Sequence, residues 1–276
     1  MRRCAITLLI HYLQHMKFEI TSELSYEVIE PTTYFFNIQA ANTVGQIIHD
    51  ESISISPNLH FEEFTLQHTD TRFIKLQMNF GTFTILYKAT VEVQENYIDE
   101  ETLNVSVPIL QLDHEVLPYI APSRHCESDK LLKFAFKTFG HLPNEFAKAK
   151  AINEWIAQHI EYISGSTTSS TAACDTLISR QGVCKDFAHV GISLCRALDI
   201  PARYLTCYAA NLYPPDIHAC FEAYIANQWI TFDPTLLSTN NQIVKIAHGK
   251  DASEVAVASY YGKTNCTYMN IQCEVL

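Results

Sequence analysis

Nine cysteines occur in the 276-residue chain, yet no two form a C-x-x-C pair. That spacing marks structural zinc sites, so no metal is expected. An odd cysteine count in a chain of this length does not suit a disulfide framework, which is usually short, secreted and even-numbered. A reduced, cytoplasmic protein is the simpler expectation. His11 and His15 lack the Glu of an H-E-x-x-H motif, and there is no EF-hand loop. Basic clusters are missing too: 19 Lys and Arg stand against 30 Asp and Glu, a net charge of −11. Nucleic acid is therefore not an expected partner. Internal repeats and low-complexity tracts are absent. The apolar run Ala5 to Ile10 after Arg2 and Arg3 faintly resembles a signal peptide. It is too short to span a bilayer and no small-residue cleavage site follows, so no membrane contact is expected. Residues 1–16 stay without an assigned role, with Met16 as an alternative start to Met1.

What the chain does have is 47% hydrophobic residues, ample for one large core or two smaller ones. Short β-rich runs at 18–26, 33–37, 53–55, 72–78, 82–93 and 103–107 are separated by polar turn clusters. They predict a β-sandwich-like domain over 17–116. A stretch with two prolines and no regular period, 117–128, reads as a linker. From 129 to 276 helices come first. One runs over 128–139 and stops at Gly140; another runs over 144–160 with Asn144 as N-cap. A short helix at 172–179 follows a Gly/Ser/Thr loop at 162–173. The alternating piece 268–275 predicts a closing strand.

The chemistry concentrates after that short helix. Gly182-Val183-Cys184-Lys185-Asp186-Phe187 opens an apolar run to Leu198 in which Phe187, Val190, Gly191, Leu194 and Leu198 recur at helical spacing. At about 100° per residue, Lys185, His189, Ser193 and Arg196 form one narrow polar stripe, so the helix should be buried over most of its circumference. Cys184 then sits at a helix N-terminus, where unpaired N–H groups and the dipole favour a thiolate. An alternating strand over 216–224 carries His218, and a second over 229–235 carries Asp233. A Cys, a His and an Asp in this order supply a thiol nucleophile, its base and the group that orients the base.

These three segments, with Pro201-Ala202-Arg203-Tyr204, resemble the transglutaminase-like superfamily, in particular the bacterial group described as cysteine proteases. The Pro122-Ser123-Arg124 stretch and the segment around Gly249-Lys250-Asp251 are similar to that group as well. The resemblance implies an α+β, papain-type core with a helix-borne Cys on an antiparallel sheet, preceded by the β-sandwich-like domain. It also implies catalysis by Cys184, His218 and Asp233 through an acyl-thioester, with no cofactor. The substrate would be a protein or peptide offering a glutamine side chain or another amide. Hydrolysis is the expected outcome; amine transfer, as in transglutaminases, and a non-catalytic interaction module are the alternatives. Oligomeric state is not legible.

The register of the two strands stays open at this point. A turn centred on Asn227-Gln228 pairs Asp233 with Glu222; one centred on Ile225-Ala226 puts Asp233 opposite His218. His189 lies about 140° around the helix from Cys184 and is not expected to be the base. Cys195 is too far along the axis for a disulfide with Cys184. Asp216 is a cleft-edge candidate. Cys220 stands where relatives commonly carry Trp, and Cys207 where Gly is frequent. On the His218 face, Cys220 would widen the pocket or act as a second thiol. Papain relatives proper place their His about 130–150 residues after Cys; here the gap is 34 (218 − 184).

Overall fold

The computed structural model describes residues 15–67, 69, 71–94, 100–238 and 242–276. The apolar run Ala5 to Ile10 and His11 lie outside them. Strict period-2 alternation builds the first strands: in β1 (His15–Val28), Phe18, Ile20, Ser22, Leu24, Tyr26 and Val28 point inward. β2 (Thr32–Phe36), β3 (Gln46–Ser56), β4 (Phe61–Thr65), β5 (Arg72–Met78) and β6 (Gly81–Gln94) follow. β3 is longer than expected because a bulge at Ile48/Asp50 carries its polar half along β6. β4 was not foreseen; its exposed Glu-Glu pair hides the alternation. Residues 103–107, expected as a strand, begin at the end of a 3-10 helix (Glu100–Asn104). Leu103 alone is buried there and Val105 is exposed, so no sheet face exists for them to join.

Four helices come next: α1 (Ser128–Phe139), α2 (Glu145–His159), α3 (Ala173–Ser179) and α4 (Cys184–Arg196). Gly140 caps α1. Asn144 caps α2, its side chain accepting from the Ala147 N–H at 2.8 Å. A two-residue parallel pair, β7 (Glu161–Tyr162) with β8 (Gln181–Gly182), clamps the segment entering α4. The second sheet unit holds β9 (Ala202–Ala209), β10 (Ile217–Ile225), β11 (Gln228–Phe232) and β12 (Ile243–Gly249), in spatial order β11-β10-β9-β12. α4 lies so close to β10 that a Cβ on Gly191 would sit 2.5 Å from the Phe221 ring. Only glycine permits that approach.

The chain ends elsewhere than expected. β13 (Ala258–Tyr261) and β14 (Thr264–Val275) do not join the catalytic sheet. β14 pairs with β1, from Phe18 opposite Val275 to Val28 opposite Thr264. β13 pairs with β2. The sandwich is thus two four-stranded sheets, β14-β1-β6-β3 and β13-β2-β5-β4. Strands from both ends of the chain thus complete the β unit, so the sheets reach beyond the 17–116 expected of it into the segment 129–276. Alternation tells which face a strand buries, not which sheet receives it. Between the sheets Tyr34 meets Phe83 edge-on at 5.0 Å, and Tyr26 stacks on Phe83 at 5.5 Å. The two units share one continuous apolar core. Gln46 ties them further, donating to the Lys245 carbonyl at 3.0 Å and accepting the Lys245 N–H at 2.9 Å. Among the described residues no helix is long and apolar enough to cross a membrane.

Candidate active site

The helix expected after Gly182 begins at Cys184 itself. Val183 has no polar side chain to cap it, so Asp186 reaches back and accepts the Val183 N–H at 2.9 Å. The same fully buried carboxylate accepts from Thr167 Oγ1 at 2.6 Å and from Lys185 Nζ at 2.6 Å. The Gly/Ser/Thr loop is therefore fastened to the helix start. The rest of the polar stripe, His189, Ser193 and Arg196, is buried as well. Arg196, 3% exposed, donates to the carbonyls of Ala202, Ala121 and Lys250 and to Ser123 Oγ. One guanidinium thus holds the linker and the loop after β12 against α4, a use of a planar fork that Lys could not match.

His218 lies on β10 and Asp233 just beyond β11. The ladder pairs Phe221 with Phe232, and the turn sits on Ala226-Asn227, both at positive φ. This is neither of the two registers considered from sequence. It falls between them and still keeps Asp233 on the His218 face, since the next pair would set Asp233 opposite Cys220. His218 is reached diagonally: its Nε2 lies 2.9 Å from Asp233 Oδ2. Asp233 also accepts from Thr235 (N–H 2.9 Å, Oγ1 2.6 Å) and Ser238 (N–H 2.9 Å, Oγ 2.8 Å). Burial opposes charge on both partners. Even so, the His218 imidazole is pushed up to about 12 by hydrogen bonds to Asp233, Cys184 and Cys220. The Asp233 carboxyl is held below its ordinary value, by His218 first. Both shifts favour an imidazolium beside a carboxylate. With Nε2 on Asp233, Nδ1 is the ring nitrogen left for the thiol.

Cys184, half-buried, and His218 line one cleft of about 640 Å³ with Thr167, Thr168, Ser169 and Thr171. The Gly/Ser/Thr loop thus forms part of the cleft wall. The segment after β12 forms part of its rim through Ala252, Ser253, Val255 and Val257. Asp216 lies on the cleft edge, its carboxyl raised by burial. Cys220 neither widens the cleft nor faces it. It is fully buried with Leu205, Cys207, Ala209 and Ile243. A hydrogen bond with Cys207, and then burial, pushes its thiol well up. With Asp233 and His218 it groups three possible metal-ligand atoms within 4.8 Å, but both Asp233 oxygens are already occupied by the donors named above.

Three further residues were not singled out for the site from sequence. Tyr162 in β7 neighbours Cys184, and burial and then Cys184 push its hydroxyl up to about 12. Thr235 and Ser238 fix Asp233. The Asp-Pro-Thr run was a turn signal that, pursued, points to Thr235. His189 is buried and is not joined to Cys184 as a base; its Nε2 accepts the Ala252 N–H at 3.2 Å.

A half-buried thiol at a helix start, sharing a cleft with a strand-borne imidazole, defines the class: a thiol-enzyme fold. Residues 133–234 match the transglutaminase-like superfamily model, and residues 16–115 match the bacterial transglutaminase N-terminal domain. The crystal structure of a "Putative Cysteine Protease" from Cytophaga hutchinsonii is 49% identical, with a TM-score of 0.93, covering 95% of this chain and 91% of that one. The chain belongs to the transglutaminase-like superfamily. An uncharacterized protein of Mycobacterium leprae is 28% identical over 145 residues, 49% of this chain and 51% of that protein. One of Mycobacterium tuberculosis (strain H37Rv) is 34% identical over 113 residues, 34% and 35% of the two. The chain spans about half the length of the first of these relatives and about a third of the second.

Proposed function

We propose that the protein hydrolyses amide bonds of peptide or protein substrates through a thioester on Cys184. The observation that carries this reading is the Asp233-anchored His218 in the cleft that holds Cys184. The Cys184 sulfur attacks the amide carbonyl and forms a C–S bond. The C–N bond breaks as His218 delivers its proton to the leaving amine. Water then attacks the thioester as His218 takes its proton, and the C–S bond breaks, releasing the acid and the Cys184 thiolate beside a protonated His218. Asp233 keeps the ring in one orientation and tautomer throughout. The Cys184 backbone N–H at the start of α4 is the natural first oxyanion donor.

Hydrolysis is favoured over amine transfer by the 49% identity, over nearly the whole of both chains, to a protein described as a "Putative Cysteine Protease". An amine acceptor needs a passage that keeps water out, since water is present at about 55 M and competes for the thioester. The test is mass spectrometry of a glutamine-containing peptide incubated with enzyme and a millimolar primary amine. Free acid or cleaved peptide is expected to dominate. A majority of amine adduct would turn the assignment to transglutaminase. The absence of any acyl intermediate on Cys184 would favour an interaction module.

A further inference from the structure

One wall of the cleft takes no part in the thioester chemistry. There His125 stacks on His189, with ring centroids 5.0 Å apart and planes at 13°. Both are buried, at 5% and 1% exposure, and both line the cleft that holds Cys184. His189 Nε2 accepts the Ala252 N–H, which puts the ring proton on Nδ1. That Nδ1–H has no hydrogen-bond partner, and neither has Nδ1 of His125. Buried polar nitrogens are nearly always paired, so two unpaired ones on side chains that line the same cleft are unusual.

The surroundings select the partner. Burial, then His125, Lys185 and Arg196, disfavour a charge on His189, with Asp251 acting the other way. Asp251 is already engaged, accepting the His125 N–H at 3.0 Å and Ser253 N–H and Oγ at 3.0 and 2.6 Å. Lys185 is engaged by Asp186. Arg124, next to His125, is exposed and lines the cleft, and no carboxylate lies within ion-pair distance of it among the described residues. Asp216 stands at the start of β10, so an incoming anion is repelled from that edge. A neutral imidazole donor beside an unpaired guanidinium is matched by an anionic acceptor with two oxygens.

We infer that this wall is a carboxylate subsite: Arg124 takes the charge of a substrate carboxylate and His189 Nδ1–H donates to one of its oxygens. The carboxylate belongs to an acidic side chain or to a peptide C-terminus. This deepens the thioester reading by naming the substrate class, but the binding itself does not require the thiol.

The test uses the full-length chain carrying Cys184→Ala and three fluorescent hexapeptides, read by anisotropy. One contains Glu and has an amidated C-terminus; its twin has Gln in place of Glu; the third is the Gln peptide with a free C-terminus. At least one carboxylate peptide should bind fivefold or more tightly than the amidated Gln twin, and which one does identifies the source. Adding Arg124→Gln should erase the difference. Adding Arg124→Glu should invert it in favour of a Lys-containing peptide, a gain that misfolding cannot produce. His189→Gln, which retains an acceptor for the Ala252 N–H, should narrow the difference. Preference below fivefold, or preference that survives Arg124→Gln, overturns the subsite. If the preference holds while the parent enzyme forms no acyl-Cys184, the thioester reading fails and the subsite stands.

Discussion

Two histidine pairs serve one cleft, and the fold has treated them in opposite ways. His218 and Asp233 form a charged pair in which both carboxylate oxygens are held by named donors. His125 and His189 form a stacked pair with an unsatisfied nitrogen on each ring. A fully satisfied network fixes one orientation, because every alternative loses hydrogen bonds in a low-dielectric site. A half-satisfied one keeps its donors for something that comes and goes. The first pair is built to stay in place, the second to exchange partners.

Breaking each pair should separate these roles. The largest effect is expected at the centre of the chemistry: Cys184→Ala abolishes turnover, and His218→Ala lowers kcat by about a thousandfold or more. His189→Gln acts instead on KM, which steady-state kinetics on an acidic peptide would resolve. Asp233→Asn should lower kcat by about 10²- to 10⁴-fold while circular dichroism and Tm show a retained fold, because shape is kept and tautomer control is lost. Parent-like activity in that variant would mean that another group orients His218. Ser238→Ala removes one of several donors to Asp233 and should cost about tenfold in kcat.

The smallest contrast is in stability against pH. The His218–Asp233 attraction is fully present between the ordinary carboxylate and imidazole values, about 4 and 6.5. It is lost as pH falls through the depressed Asp233 value, or as pH rises toward about 12, where His218 loses its proton. His189 has the reverse sign. Its folded value, near 3, lies below its unfolded one. Between pH 6.5 and 3 only the unfolded chain takes that proton, so stability falls as pH falls there, by at most about 1.4 kcal/mol per unit. Urea midpoints measured from pH 6.5 to 4 should therefore decline less steeply in His189→Gln than in the parent.

Much of the site could be read in advance because its determinants are local. The Gly182 turn and the apolar periodicity fixed where α4 begins, and with it the place of Cys184. Alternation placed His218 on a strand face. The register resisted because any shift of two residues keeps that face; moving the turn to Ala226-Asn227 satisfies the same pattern. The His125–His189 stack brings together a linker and the second turn of a helix, and no periodicity links them. Tyr162 lies just past α2 in sequence and reaches Cys184 only because β7 pairs with β8.

The pairing of β13 and β14 with β2 and β1 also bears on synthesis. Both strands emerge from the ribosome after the whole catalytic sheet, some 160 residues behind β6. At about 5–20 residues per second, β1 and β2 each wait on the order of ten to thirty seconds with one open edge. An open edge is a template for another chain. The edges of β1 and β2 thus stay open until after the residues of the thiol site have been made, and a chaperone acting on the nascent protein would find β1 and β2, not the cleft.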